Sequence, residues 1–220
     1  MTEPLSPTVK ELRESPRRPG RYLVSLSDGQ QLLVGVAVLA DTGATRPGVV
    51  LTEPALERLR HEHTITELTD RALDALARGR RTRRELELRL RRREATAAQI
   101  REALDRLEAN GLLSDEAVAS AEAASRLRRG EAPARVKQQL RRKGVAGSVV
   151  SEAVADAMRE DGFDEEAACR AVAEKRARTL ASEDPVAAQR KLLAFLMRRG
   201  YAGSVARRVA RDVLGSADDE

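Results

Sequence analysis

Residues 140–150 read LRRKGVAGSVV and residues 196–206 read LMRRGYAGSVA, one helix end, turn and helix start written twice, 56 residues apart. In each copy a Leu precedes two or three basic residues, directly in the first and after Met197 in the second; then come a Gly able to take the left-handed conformation that ends a helix, an apolar residue, and small residues that open the next helix. The helix after the turn repeats as well. Val150, Ala153, Val154 and Ala157 stand at i, i+3, i+4 and i+7, and Ala206, Val209, Ala210 and Val213 follow the same spacing. A third set, Ile100, Ala103, Leu104 and Leu107, lies 50 residues before the Val150 set.

Working outward, the helix before each turn carries a matching apolar pair: Leu86 with Leu90, Val136 with Leu140, Leu192 with Leu196. Start signals stand ahead of those pairs. Thr82 with Glu85 has capping-box spacing, Pro133 suits a first helical turn, and so does Asp184-Pro185. A further helical segment precedes each, with Gly111 and Gly130 as helix ends. The unit is therefore three helices in about 50 residues, and it occurs three times, over 66–113, 114–159 and 160–214. So small a unit has little core of its own, and tandem units stack into an array whose curvature follows from a small rotation per repeat. The fold class is mainly α: an elongated curved array of three tandem three-helix repeats. A single compact bundle that arose by duplication is the alternative.

Ahead of the repeats the pattern changes. Residues 1–19 carry four Pro with mixed charge and read as a flexible tail. Residues 20–65 read as a small β-hairpin and a short helix. RYLVSLSDGQQLLVGVAV, from Arg21, alternates at Tyr22, Val24 and Leu26, turns at Asp28-Gly29 and continues in a second β-rich run. Thr52 then caps a helix with Pro54 in its first turn. Residues 215–220 form an acidic tail.

Composition agrees with an all-helical body. The chain has 220 residues and 41% apolar content, but only 2% aromatic residues and no Trp, so its interior is Leu, Val and Ala between helices. The single Cys169 excludes an internal disulfide. The longest apolar stretch, Leu32–Ala40, is interrupted by Gly35 and is too short to span a bilayer. No leader pattern of charge, apolar core and small-residue cleavage site is legible. A cytoplasmic monomer without a membrane partner is expected.

Charge is segregated. Residues 78–93 hold nine Arg against Glu85 and Glu87, a net +7. Residues 126–143 hold eight basic residues against Glu131, again +7, and residues 190–211 hold seven with no acid. The whole chain carries only +5, because acids collect in 152–166 and at the C-terminus. Such clustering points to an anionic partner surface.

Together ALDALARGRRTRRELELRLRRR (72–93), IREALDRLEANGLLSDE (100–116), SRLRRGEAPARVKQQLRRKGV (125–145) and RKLLAFLMRRGY (190–201) resemble the RecX family of bacterial regulatory proteins, which act on the RecA recombinase. The resemblance runs from Arg21 to Leu214, and Ser125–Val145 is its most specific piece. Two features depart from the family pattern. The first helix of the second repeat lacks aromatic residues, reading AVASAEAASRL, which predicts weaker packing there. In the first repeat, Glu94-Ala95 replaces the Gly and large apolar residue seen at Gly144-Val145 and Gly200-Tyr201.

The resemblance implies a non-enzymatic protein that inserts along the groove of the RecA-DNA filament and bridges its subunits. It would thereby inhibit ATP hydrolysis, strand exchange and the co-protease step of the SOS response. Candidate contacts to RecA and DNA are Arg80, Arg83, Arg84, Arg89 and Arg92 in the first repeat. In the second they are Arg126, Arg128, Arg129, Arg135, Lys137, Arg141, Arg142 and Lys143, and in the third Lys191, Arg198 and Arg199. The competing reading of each is a solvated cation balancing a helix C-terminus. A second functional reading is sequence-independent binding of single- or double-stranded DNA by helix-turn-helix-like repeats, although aromatics for base stacking are missing. Catalysis is the weakest reading. His61 and His63 diverge on a helix with no third ligand, Asp161, Asp164, Glu165 and Glu166 sit where helix N-termini attract acids, and Thr82, Ser114 and Ser148 suit caps. Cys169 suits an inert core position. No cofactor and no metal are expected.

Overall fold

The computed structural model describes residues 6–16, 18–91 and 95–215. They divide into two compact units, the first comprising the chain up to Arg81 together with Leu86–Leu113, the second Thr82–Glu85 together with everything from Ser114 onward.

The first unit opens with a three-stranded antiparallel meander, β1 (Val9–Glu14), β2 (Arg21–Leu26) and β3 (Gln31–Gly35), with β2 central. Register is set by Val24, which faces Leu12 on one side and Leu32 on the other. Asp28 holds the β2–β3 turn by accepting from the Gln30 backbone N–H at 2.9 Å, and Gly29 supplies φ +89°. The flexible tail expected over 1–19 is thus corrected, since part of it is the edge strand β1. Composition misleads here because the strand buries one apolar side chain, Val9, and is held by its backbone ladder to β2. The second β-rich run is corrected too. β3 stops at Gly35, which pairs with Arg21 at the very start of β2, and beyond that point no partner strand remains. The chain turns helical instead, forming α1 (Val36–Thr42), which Gly43 closes at φ +71°.

The short helix expected after Thr52 is in fact α2 (Glu53–Ala77), 25 residues that cross the boundary drawn between 65 and 66. Thr52 caps it and Pro54 lies in its first turn. Glu62 and Thr66 interrupt the apolar stripe in sequence, yet both are buried. Glu62 is tolerated because Arg106 grips it with two N–H donors at 2.7 and 2.9 Å. The N-terminal half of α2 packs Leu56 and Leu59 under the sheet with Val24, Leu26, Leu32 and Val34. Its C-terminal half packs Ile65, Leu68, Ala72 and Ala75 against α3 (Arg83–Leu90) and α4 (Ala97–Ala109), the first three-helix repeat.

The second unit holds the other two repeats: α5 (Asp115–Arg128), α6 (Pro133–Arg142) and α7 (Gly147–Glu160), then α8 (Glu165–Ala177), α9 (Pro185–Arg198) and α10 (Gly203–Leu214). Each repeat has its own core, and the stripes read from the sequence supply it, Val213 alone being half-buried. The alanine-rich α5 is not loosely seated. Ala119, Ala123 and Leu127 are almost wholly buried in the same core as Ala153 and Ala157 of α7, where small side chains on both helices permit a close approach. Glu94 and its turn lie outside the described residues.

Candidate partner-binding site in the second unit

The duplicated turn has a mechanical role. Gly144 and Gly200 take φ +90° and +91°, and each closes its helix with a paired set of bonds. The Gly144 N–H donates to Arg141 O at 3.0 Å and the Val145 N–H to Leu140 O at 3.2 Å; Gly200 to Met197 O (2.9 Å) and Tyr201 to Leu196 O (3.3 Å) repeat the pattern. Space is the second reason for glycine. A Cβ on Gly144 would sit 2.4 Å from Arg84 Cδ and 2.5 Å from its Cβ, and one on Gly200 would sit 3.1 Å from the Arg135 backbone N. In both turns the first turn of another helix lies against the glycine. Thr82, which forms the expected capping box with Glu85, also donates from Oγ1 to Lys143 O at 2.6 Å.

Around these turns the structure brings four of the predicted cations together. Arg126, Arg129, Arg135 and Arg199 line one cleft of about 420 Å³, with Glu131, Gln139, Val172 and Tyr201. Glu131 is the acid of the cleft and is already engaged, accepting from Arg126 at 3.2 Å and from Gln139 at 3.3 Å. Arg129 is braced by Ser125, and Arg199 lies over the Phe195 ring at 5.0 Å. Arg126 and Arg135 share Glu131, at 3.2 and 4.0 Å, while Arg129 and Arg199 are braced by neutral groups; a guanidinium fixed in this way suits carboxylate or phosphate oxygens. Tyr201 forms part of the wall and donates to Gly130 O at 2.8 Å. Burial first, then the Cys169 thiol, pushes its phenol up to about 12, so it remains a donor at neutral pH. Gln139 and Tyr201 were not read as site residues. The available signal was Tyr201, one of only two Tyr, standing where the preceding repeat has Val145.

The other predicted cations separate into two groups. Lys143 is ion-paired with Glu122 and lies 3.6 Å from Glu85, Lys191 pairs with Glu183 at 2.6 Å, and Arg128 pairs with Asp161 at 3.2 Å. Arg83 donates its backbone N–H to Asp115 at 2.8 Å. By contrast Arg84, Arg141, Arg142 and Arg198 in the second unit, and Arg80 and Arg89 in the first, are exposed. Lys137 is half-buried on α6. Arg92 lies outside the described residues.

The residues weighed for catalysis have structural partners. His61 Nε2 is 2.8 Å from Glu102, and His63 Nδ1 accepts from the Leu33 N–H at 3.0 Å. No group of His, Cys, Asp and Glu among the described residues is arranged for a metal ion. Cys169 is fully buried, and burial, with Glu165 and Glu166 adding to it, pushes its thiol up to about 11. Ser114 caps α5, but Ser148 is not a cap: Ala146 holds that position with no side-chain bond, because α7 begins at Gly147. No helix among the described residues is long and apolar enough to cross a membrane.

Fold and cleft together define a protein of tandem three-helix repeats, with arginine forks gathered where a Gly turn receives a neighbouring helix. Residues 114–154 match the family model of the second three-helix domain of RecX, and residues 164–210 that of the third. "Regulatory protein RecX" of Halorhodospira halophila is 37% identical over 151 residues, covering 69% of this chain and 89% of that protein. The protein of the same name from Chlorobaculum tepidum is 34% identical over 147 residues, 66% and 88%. A crystal structure of regulatory protein RecX superposes with a TM-score of 0.76 at 20% identity, over 92% of this chain and 98% of that one. The chain belongs to the RecX family, whose curated members here are named regulatory proteins rather than enzymes.

Proposed function

We propose that this chain is a non-enzymatic regulator of the RecA recombinase. It binds the RecA-DNA filament as a cytoplasmic monomer and inhibits ATP hydrolysis, strand exchange and co-protease activity, and so modulates DNA repair, recombination and the SOS response. The observation that carries the reading is the cleft where Arg126, Arg129, Arg135 and Arg199 converge, in a chain of the RecX family. Arg141, Arg142 and Arg198, at equivalent helix ends, are exposed and add cations to the same unit, while Arg126 and Lys143 are both ion-paired with Glu122. Several modest contacts act as one when a single chain presents them together. A ligand that bridges filament subunits favours the state it fits best and opposes the rearrangement that nucleotide turnover requires. Inhibition then needs no chemistry from the bound chain.

The test adds the protein, below one copy per RecA subunit, to RecA on single-stranded DNA and follows ATP hydrolysis. Inhibition is expected, and it should be lost or shifted to higher concentration in Arg129→Glu/Arg199→Glu and in Arg141→Glu/Arg142→Glu. Unaltered hydrolysis with the unsubstituted chain refutes the proposal. Salt-dependent affinity for bare and RecA-coated DNA separates the second reading, since tighter binding to the bare strand favours direct DNA recognition.

A further inference from the structure

The third repeat carries a second groove that the cation clusters did not reveal. It lies between α9 and α10, with a volume of about 320 Å³. Val186, Arg190 and Leu193 follow one another on a single face of α9, and Arg207, Ala210 and Arg211 on a single face of α10. The floor is Val186, Leu193 and Ala210 beside the half-buried Gln189, with Val186 left 60% exposed, and the rim is three exposed arginines with no carboxylate among the lining residues.

The internal repeat shows that the fold does not require this arrangement. Fifty-six residues earlier the rim positions are Ala134, Ser151 and Ala155, and the position of Val186 is Gly130. Helix α9 has 14 residues where α6 has 10, and Val186 lies in the extra N-terminal turn. Three guanidinium groups placed together raise one another's electrostatic energy, and an exposed Val adds no core burial. Both features become favourable only when a partner supplies negative charge and an apolar side chain at once.

We infer that the α9–α10 groove binds an acidic peptide segment in which carboxylates alternate with aliphatic side chains, the carboxylates meeting Arg190, Arg207 and Arg211 and an aliphatic group covering Val186. A nucleic acid fits less well, because its backbone offers no aliphatic group and the floor has no aromatic ring on which a base could stack. The groove adds a binding chemistry to the chain whether or not the recombinase is the partner that uses it.

The test uses the full chain without RecA or DNA filaments, so failure here leaves the preceding proposal standing. A fluorescein-labelled octapeptide of alternating Asp and Leu is titrated by anisotropy, beside an Asp-Gly octapeptide of equal charge and an oligo-dT of ten nucleotides. The Asp-Leu peptide is expected to bind the tightest of the peptides and to lose about tenfold in affinity or more in Arg190→Glu/Arg207→Glu/Arg211→Glu. Val186→Ser keeps every charge, and it should weaken the Asp-Leu peptide several-fold while leaving oligo-dT unchanged. Far-UV circular dichroism checks the fold, and the triple Gln variant replaces the Glu variant if that one unfolds. Equal binding of both peptides, or Asp-Leu affinity unchanged in either the rim or the Val186 variant, overturns the inference.

Discussion

Replacing Gly144 by Ala tests directly why the basic turn is spelled twice. Two costs act on the folded chain. At φ +90° an L side chain costs about 1–2 kcal/mol by crowding its own carbonyl. The new Cβ also meets Arg84, and although Cδ at 2.4 Å can swing away, Cβ at 2.5 Å is fixed to the α3 backbone, so helix and turn must separate. Overpacking of that kind adds about 1–3 kcal/mol, giving about 2–5 kcal/mol in all. Gly162 provides the control: its φ is +57° and nothing lies within 4 Å of its Cβ position, so Gly162→Ala should cost only the backbone part. Asn sharpens the contrast, since it tolerates the left-handed region: Gly162→Asn should be mild while Gly144→Asn stays costly. Tyr22→Phe leaves Tyr201 as the single Tyr, so its fluorescence in a urea titration reports the second unit alone. Midpoint and slope are compared across the four variants in that background. If Gly144→Ala and Gly162→Ala shift the midpoint equally, no helix is docked on Gly144 and the explanation of the motif fails.

Three further outcomes follow from the same geometry. Tyr201→Phe removes the donor to Gly130 O at 2.8 Å and should cost about 1–2 kcal/mol in urea unfolding followed by circular dichroism, with no effect expected only if that carbonyl is satisfied by water. Cys169, with its thiol pushed up to about 11 and no exposed surface, should react with a disulfide reagent at pH 8 about a hundredfold more slowly in the folded than in the urea-unfolded chain; equal rates would remove it from the third core. Glu102 is pushed up by burial, but hydrogen bonds and charge from His61 and Arg106 outweigh this and hold it below its ordinary 4.5. Its contribution is therefore complete above that value and is lost as pH falls through the lower folded one, so Glu102→Gln should flatten the acid limb of the stability curve of the first unit; an unchanged limb would deny the His61–Glu102–Arg106 network that role.

The helical body was legible because its signals are local and repeated. An apolar residue at i, i+3, i+4 and i+7 has one use in a helix, and three sets at nearly constant spacing exclude accident. Elements whose partner is remote in sequence were not legible. β1 exists because β2 has a free edge, α1 because β3 runs out of one, and the middle of α2 because Arg106 neutralises Glu62 from the next helix but one. In each case the residues concerned, KELRE (10–14) and HEH (61–63) among them, carry weak or contrary propensity, and the deciding contact comes from elsewhere.

The cations divide along the same line. Equal net charge in three segments is a property of composition, but the field available to a partner depends on which groups are already neutralised. In the second segment Glu122 lies outside the counted residues yet engages both Lys143 and Arg126, so the +7 overstates what a ligand meets. In the third, Lys191 is held by Glu183 and Arg208 by Glu166, whereas Arg190, Arg207 and Arg211 converge on a groove with no acid. A single sequence shows the number of charges; which of two adjacent residues, Arg190 or Lys191, stays free is decided by one step of 100° around a helix and by the acid that step brings within reach.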